Sequence, residues 1–419
     1  MVLNNNLLDS IILHSYNTVP FYRELYDKNN ININELKDSV DITKIPVISK
    51  NMIQKSPEKF LSMYKNMLDE SLIEKRTSGS SGMPLKIFWD NYDYTNSNYM
   101  IWLLRKKQFD ISPHSKYCTF HSSYYLNGKN FSKDDHILNN GKCLSLSSIN
   151  LNSHNIEDKI QKIFDFQPRW LLIQPSIAYL LSNYITKQNK KLPKTIKYIE
   201  FSGEYLFPEY RKAVVNAFNC ETSNMYGSEE TNVIAYECKH NNLHCLSGNV
   251  IVEIVKYNKN TLDNEEGNVL VTSLTNRTMP FIRYSLGDIA SMNHNHKCKC
   301  KNPTPIIDVK AGRISDFILI NDHKINSYIF PHIVENINNT QENKILQFQI
   351  IQESNSKFTV RLVLKNNSKD SKKIIQKQFI TFTENNYLKN MRWEFQFEDI
   401  LVNDSEHGKF KYFINKTLV

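Results

Sequence analysis

Four short segments hold residue types suited to a phosphorylated ligand. In TSGSSGMP, Thr77 to Pro84, successive small residues let backbone N–H groups converge on an anion, and the hydroxyls of Ser78, Ser80 and Ser81 add donors for phosphate oxygens. The spacing and lysine of a P-loop are missing, so the run alone also fits a flexible surface loop. In MYGSEE, Met225 to Glu230, a tyrosine and two carboxylates stand at a predicted strand end, suited to stacking a purine and holding Mg2+. A solvated acidic turn has the same composition. RYSLGD, Arg283 to Asp288, offers a carboxylate able to accept from both hydroxyls of a ribose, or an ordinary turn aspartate. In HGKFKYF, Lys409 follows Gly408 on a predicted turn, where an ammonium could reach charge developing elsewhere; a lone lysine is otherwise solvated.

A second constellation joins Cys238, His244, Cys298 and Cys300, a Cys3His set suited to tetrahedral zinc. His240, Cys245, His294 and His296 compete as ligands, and four reduced, unliganded side chains are the alternative. No Ser-His-Asp set and no GxSxG elbow stands out, so the chemistry does not announce an activated hydroxyl nucleophile.

The elements that must position these groups follow from periodicity. Apolar residues recur at helical spacing from Leu7 to Tyr26, with Pro20 starting a new turn or helix. Ile45 to Leu72 reads as mixed and helix-rich, and LKIFW after the Ser/Gly run as a strand. Helices are predicted over Tyr92 to Leu104, Ile156 to Phe164 and Ile177 to Ile185, with the apolar run WLLIQ between the last two. KYIEFSG, FPEYRKAVVNAFN and TSNMYGSEE read as strand, helix, strand, which implies an α/β unit with a parallel sheet. NVIVEIVKYN and GNVLVTSLTN then read as antiparallel β around a turn at Asp263 to Gly267. The boundary falls near AGRISDFI, dividing residues 1–313 from a small α+β unit of residues 314–419.

The bulk properties fit a folded chain of two or three domains. It has 419 residues, of which 40% are hydrophobic, with 22 Tyr, 22 Phe and only 11 Gly and 13 Pro. Wholesale disorder and low-complexity designs are excluded. The net charge of +9 suits phosphate-bearing ligands or an acidic partner, and no basic run of the kind that marks a nucleic-acid tail is present. No apolar run is long enough to cross a bilayer, and the N-terminus does not read as a secretory signal. A cytoplasmic, reducing location is expected, with seven cysteines serving as free thiols or metal ligands.

The order of the motifs is more specific than any one of them. TSGSSGMP, FSGEYL, YGSEE, RYSLGD, GRISD and a terminal GKFKYF, together with TVPFYRELY and MPFIRYSLGDIA, closely resemble the phenylacetate-CoA ligase-like branch of the adenylate-forming acyl-CoA synthetases. The resemblance spans nearly the whole chain. It implies a large α/β adenylate-forming domain with parallel-rich sheets and a β-rich subdomain, plus a small mobile α+β lid. It implies that a carboxylate, aryl or unsaturated by the local aromatic content, attacks ATP to form an acyl-adenylate. Coenzyme A, or the phosphopantetheine arm of an acyl carrier protein, then displaces AMP. Thr77, Ser78, Gly79, Ser80, Ser81 and Gly82 match the loop that holds the β- and γ-phosphates. Gly203 and Glu204, with Tyr226 and Gly227, match the adenine slot; Asp288 the ribose aspartate; Arg313 the arginine near ribose and phosphate. Glu230 matches the glutamate that helps hold Mg2+, and Lys409 the lysine that steadies the α-phosphate and carboxylate. The branch also carries cysteines and a histidine where Cys238, His244, Cys298 and Cys300 stand, which implies a structural zinc.

The chain departs from the pattern at Glu229, usually Thr or Ser; at Leu85, often polar; and at Ser315, commonly an aspartate at the hinge. The acyl pocket is expected from His121 to Tyr125, Gln174 to Ile177 and Phe201 to Ser202. A monomer or homodimer with no nucleic-acid or membrane partner is expected. The competing readings are a degenerate relative that binds nucleotide or acyl group without forming a thioester, and a zinc-bearing nucleic-acid binder.

Overall fold

Proline and polar caps set the helices that flank the site. Pro20, Pro175 and Pro208 each open a helix, at Pro20–Lys28, Pro175–Lys187 and Pro208–Phe218, where the missing N–H costs nothing. Asp90 caps the Asn91–Phe109 helix by accepting from the Asp93 N–H at 2.7 Å. The helix ends in a left-handed Asp110, and Pro208–Phe218 ends likewise at Asn219. The structure is a computed structural model and describes residues 2–33, 41–77, 85–121, 124–126, 129–131, 134–148, 151, 155–256, 259–313, 316–320, 323–327, 329–341, 344–385, 388–401 and 410–417.

Among the described residues one sheet of 13 strands runs through the larger part of the chain. Its parallel portion joins Glu221–Ser228, Tyr198–Ser202, Trp170–Ile173, Tyr117–His121 and Cys143–Ser147. WLLI and YIEF are near-continuous apolar runs because helices cover both faces of such strands. Antiparallel strands extend the sheet beyond Glu221–Ser228, ending in the Val250–Lys256, Gly267–Ser273, Tyr284–Asn293 and Ile306–Arg313 ladders. The expected parallel sheet and β-rich subdomain are thus portions of one continuous sheet.

The segment Ile45 to Leu72 is less helical than its pattern predicts. It holds one helix, Lys50–Lys55, and a short 3-10 turn at Pro57–Phe60. Pro46, Pro57 and the Asn66 and Asp69 side chains, which accept from the Leu68 and Ser71 N–H groups, divert the backbone into turns.

Among the described residues three large cores and two smaller clusters hold the chain together. The first packs the N-terminal helices under the antiparallel strands, and the second packs helices Ile156–Phe166 and Pro175–Lys187 on the parallel strands. Between them Arg105 and Glu200 form a buried two-point ion pair, with Tyr198 and Tyr236 donating to the same carboxylate. The third core belongs to the four-stranded sheet Arg392–Phe397, Lys357–Leu364, Ile345–Gln352 and Phe413–Asn415, covered by the Ile329–Thr340 and Lys369–Asn385 helices. It meets the larger part through Phe207, whose ring stands edge-on to Phe348 at 5.7 Å.

Candidate active site

Parallel register brings two of the motifs to one level. Met225 pairs with Ser202, so Tyr226 and Gly203 follow at the same height at the carboxyl ends of neighbouring strands. Ligands of parallel sheets bind at this edge. Gly203 has φ of +86°, a conformation that suits glycine and turns the chain away from the strand. At Gly227 the ladder shifts register, and a Cβ there would lie 2.5 Å from the Asn232 carbonyl oxygen. Only glycine lets the two backbones approach so closely.

Tyr226 donates its hydroxyl to Asp288 Oδ2 at 2.8 Å, tying the aromatic candidate to the ribose candidate. Asp288 in turn pairs in register with Arg313 on the adjoining strand. Glu230 is 6% exposed and accepts from the Tyr284 hydroxyl at 3.0 Å, while the Trp89 indole N–H donates to the Glu229 carbonyl oxygen at 3.2 Å. Two buried aromatics therefore pin the acidic turn from below. Arg283, beside Tyr284, is structural: its guanidinium grips Glu253 at two points and donates to the Thr43 and Ile45 carbonyl oxygens.

A cavity of about 770 Å³ is lined by Gly203, Glu204, Tyr226, Gly227 and Asp288 on one side and by Phe410 on the other. Thr77 and Glu230 do not line it. Thr77 closes the base of the Ser/Gly segment, with its N–H on the Leu85 carbonyl oxygen at 3.0 Å and its hydroxyl accepting from the Leu85 N–H at 2.9 Å. Strands Ile73–Arg76 and Lys86–Trp89 pair on either side of that segment. Ser78, Gly79, Ser80, Ser81, Gly82, Ser315 and Lys409 lie outside the described residues, and of Arg313 only the backbone is described. Leu85 is 2% exposed and belongs to the first core, which accounts for an apolar residue at this position.

Of the acyl pocket expected from His121 to Tyr125, Gln174 to Ile177 and Phe201 to Ser202, Ser122 and Ser123 lie outside the described residues, and His121, Gln174, Ile177, Phe201 and Ser202 do not line this cavity. Ile177 and Phe201 are taken by the second core, and His121 is buried with Nδ1 against Ser145 Oγ at 2.7 Å. Apolar character at a strand end serves core packing as readily as a ligand, so it does not distinguish the two.

Tyr284, Trp89 and the Glu204 side chain are contributors that sequence reasoning missed. The first two sit inside or beside quoted motifs, but their partners lie across strands and no local spacing signals them.

The cysteine and histidine candidates do meet. The ligand atoms of Cys238, His244, Cys298 and Cys300 all lie within 4.8 Å of one another. Cys238 and Cys298 sulfurs stand 3.7 Å apart, near the roughly 3.8 Å edge of a tetrahedron with Zn–S bonds of about 2.3 Å. His244 Nδ1 lies 3.1 Å from the Thr304 carbonyl oxygen, to which it must donate; this leaves the Nε2 lone pair facing Cys300 Sγ at 3.2 Å. N–H groups of His240, Asn242 and Asn302 point at the three sulfurs. Burial opposes ionisation of Cys298, yet hydrogen bonds from Cys300, His244 and Asn242 outweigh it and bring its thiol down to about 6. Of the rivals, His296 is occupied at both nitrogens and His294 pairs with Asp263. Cys245 is buried apart, with burial raising its thiol to about 12. The donor set fits a closed four-coordinate metal.

Comparison with known proteins agrees with this layout. Residues 318–416 match the CapK C-terminal domain family. The chain is 24% identical over 387 residues to Protein CapK of Staphylococcus aureus, covering 90% of this chain and 78% of that one. It is 20% identical over 327 residues to the phenylacetate-coenzyme A ligase of Thermus thermophilus, covering 76% and 71%. Among solved structures, 2-hydroxyisobutyryl-CoA ligase in a postadenylation state with an acyl-AMP matches over 99% of this chain and 89% of that one, with TM-score 0.73 and 14% identity. The same ligase in its thioesterification state, again over 99% and 89%, matches with TM-score 0.60 and 15% identity.

A long mixed sheet with Gly203, Tyr226 and Asp288 at one cavity, to which the small α+β unit contributes Phe410, is the fold shared with that adenylate-forming ligase. The chain is thus similar over most of its length to Protein CapK and to phenylacetate-coenzyme A ligases, and it shares the fold of a solved acyl-CoA ligase.

Proposed function

We propose that the protein joins a small carboxylic acid to the thiol of coenzyme A through an acyl-adenylate, releasing pyrophosphate and then AMP. The observation that carries this reading is the shared cavity, where Tyr226, hydrogen-bonded to Asp288, stands at one level with Gly203 and faces the residue that follows Lys409. An aryl or unsaturated acid is the proposed substrate class, and a carrier-protein phosphopantetheine arm the alternative acceptor.

In this reading the adenine lies between Tyr226 and the backbone at Gly203, Glu204 and Gly227, and Asp288 accepts from the ribose hydroxyls. Tyr226 keeps the Asp288 carboxylate aimed before nucleotide arrives, so less ordering is required on binding. The segment Thr77, Ser78, Gly79, Ser80, Ser81, Gly82 takes the β- and γ-phosphates, and Arg313 lies toward ribose and phosphate. The substrate carboxylate oxygen attacks the α-phosphorus and the bond to pyrophosphate breaks, with Lys409 steadying the charge gathered there. No side chain needs to move a proton in this step, consistent with the lack of a nucleophile-base pair. Glu230, aimed by Tyr284, would hold Mg2+, which neutralises phosphate charge when bound. The thiol then attacks the acyl carbonyl carbon and AMP leaves.

Zinc at Cys238, His244, Cys298 and Cys300 is proposed as a structural staple of the antiparallel strands. Residues 1–313 are proposed as the adenylation domain and 314–419 as the lid, working in the cytoplasm as a monomer or homodimer. Incubation with ATP, Mg2+, coenzyme A and a panel of acids, followed by mass spectrometry, tests the reading. It expects one acyl-CoA and stoichiometric AMP; ADP in place of AMP, or no thioester with any acid or acceptor, refutes it.

A further inference from the structure

A single carboxylate links the sheet edge, a helix terminus and the C-terminal unit. Glu204 Oε2 accepts from the Ser176 N–H at 3.0 Å, and Oε1 accepts from the Phe410 N–H at 2.9 Å. Ser176 lies in the first turn of the Pro175–Lys187 helix, where unsatisfied N–H groups favour a negative charge. One oxygen is therefore fixed to the rigid body. The other holds a backbone amide of the opposite unit, and that amide belongs to the residue directly after Lys409.

The surroundings make this contact matter. Glu209 and Phe207, from the same stretch as Glu204, reach Asn338 at 3.3 Å and Phe348 at 5.7 Å in the C-terminal unit. Interfaces of this kind between units of one chain leave relative motion as the default, so a charge-assisted bond weighs heavily in which arrangement is populated. The arrangement found here is nearer to the postadenylation state of the solved ligase than to its thioesterification state.

We propose that Glu204 is a positioning residue for the first half-reaction. By gripping the Phe410 amide it holds the end of the chain in the arrangement that serves adenylation, and release of that grip accompanies thioester formation. The inference rests on the adenylation reading above. It is separate from the adenine slot, which uses the backbone of Glu204 and is retained when the side chain is changed.

The test compares wild type, Glu204→Ala and Glu204→Gln in two assays. One is ATP–pyrophosphate exchange with phenylacetate, anthranilate or 2-hydroxyisobutyrate, using whichever acid the wild type accepts. The other is transfer from the chemically prepared adenylate of that acid to coenzyme A. Loss of a hydrogen bond to a charged acceptor lowers the ratio of the first rate to the second by about tenfold in Glu204→Ala. A smaller fall in the same direction is expected in Glu204→Gln, which keeps one acceptor oxygen and stands in if the alanine variant does not fold. Hydrogen exchange of the peptide holding Phe410 is expected to accelerate in both. Equal loss in both half-reactions, an unchanged ratio, or unaltered amide exchange overturns the proposal. Absence of wild-type exchange with every acid would instead count against the adenylation reading itself.

Discussion

The Tyr226 hydroxyl donates to Asp288 Oδ2 at 2.8 Å, joining side chains 62 positions apart in the chain. One tyrosine thereby serves as a ring for stacking and as the guide for a carboxylate. Tyr226→Phe keeps the ring and removes the guide. Its KM for ATP in pyrophosphate exchange should rise about tenfold, while Asp288→Ala loses about a hundredfold in kcat/KM, on the scale of hydrogen bonds to charged groups. An equal effect of the two substitutions would mean that the tyrosine acts through something other than Asp288.

Tyr284 offers a parallel case at the acidic turn. Its hydroxyl donates to the buried Glu230 at 3.0 Å, so Tyr284→Phe leaves one carboxylate oxygen without that donor. The Mg2+ concentration giving half-maximal exchange should rise several-fold, roughly as one lost hydrogen bond demands, with little change in the KM for the acid. A variant with unaltered Mg2+ dependence would separate Glu230 from the metal.

For the Cys3His cluster, elemental analysis of protein purified without chelator should find one zinc per chain. Cys298→Ser should lose it and lower the melting temperature by about 1–2 °C, the scale of one or two kcal/mol in a chain of this size. Cys245→Ser, outside the quartet, should keep the metal. Full zinc retention in Cys298→Ser would dissolve the assignment.

Stability should depend on His121 in a definite direction. Burial, and secondarily the neighbouring His136, depress its imidazole to about 4 against an ordinary value of 6.5. The native state therefore resists a proton that the unfolded chain takes up. The stability that this neutral ring contributes is present above pH 6.5 and is lost as pH falls toward 4, at up to about 1.4 kcal/mol per pH unit. Urea unfolding at pH 7 and pH 5 should show a smaller fall for His121→Gln than for wild type; parallel losses would assign the acid sensitivity to other groups.

The buried Arg105–Glu200 pair gives a test of the scaffold. Glu200 is wholly buried and Arg105 nearly so, so Glu200→Ala strands a guanidinium in the core. Urea unfolding should show a loss of about 3–5 kcal/mol. A loss under 1 kcal/mol would mean that water reaches Arg105.

Much of this layout was legible in the residues themselves. Pro208 marked the start of the Pro208–Phe218 helix, and the strand, helix, strand reading of KYIEFSG, FPEYRKAVVNAFN and TSNMYGSEE matches the parallel pairing of Tyr198–Ser202 with Glu221–Ser228. The resemblance singled out Cys238, His244, Cys298 and Cys300 over the rivals His240, Cys245, His294 and His296, and their ligand atoms do meet. What stayed hidden depends on distances across the sheet. Tyr284 reaches Glu230, and Glu204 reaches Phe410, through pairings that no local spacing encodes. For two residues of the expected acyl pocket the pattern is ambiguous, since Ile177 and Phe201 look alike whether they face a ligand or, as here, pack in the core.

Formation of an acyl-adenylate by this chain is probed most directly by carboxylate-dependent ATP–pyrophosphate exchange. Aryl, aliphatic and amino acids should be screened on wild type and on Lys409→Ala. Exchange is expected with one acid class, falling about a hundredfold in the variant, the scale of losing one group that stabilises developing charge. Bound ATP with no exchange across the panel, or exchange indifferent to Lys409, would contradict that expectation.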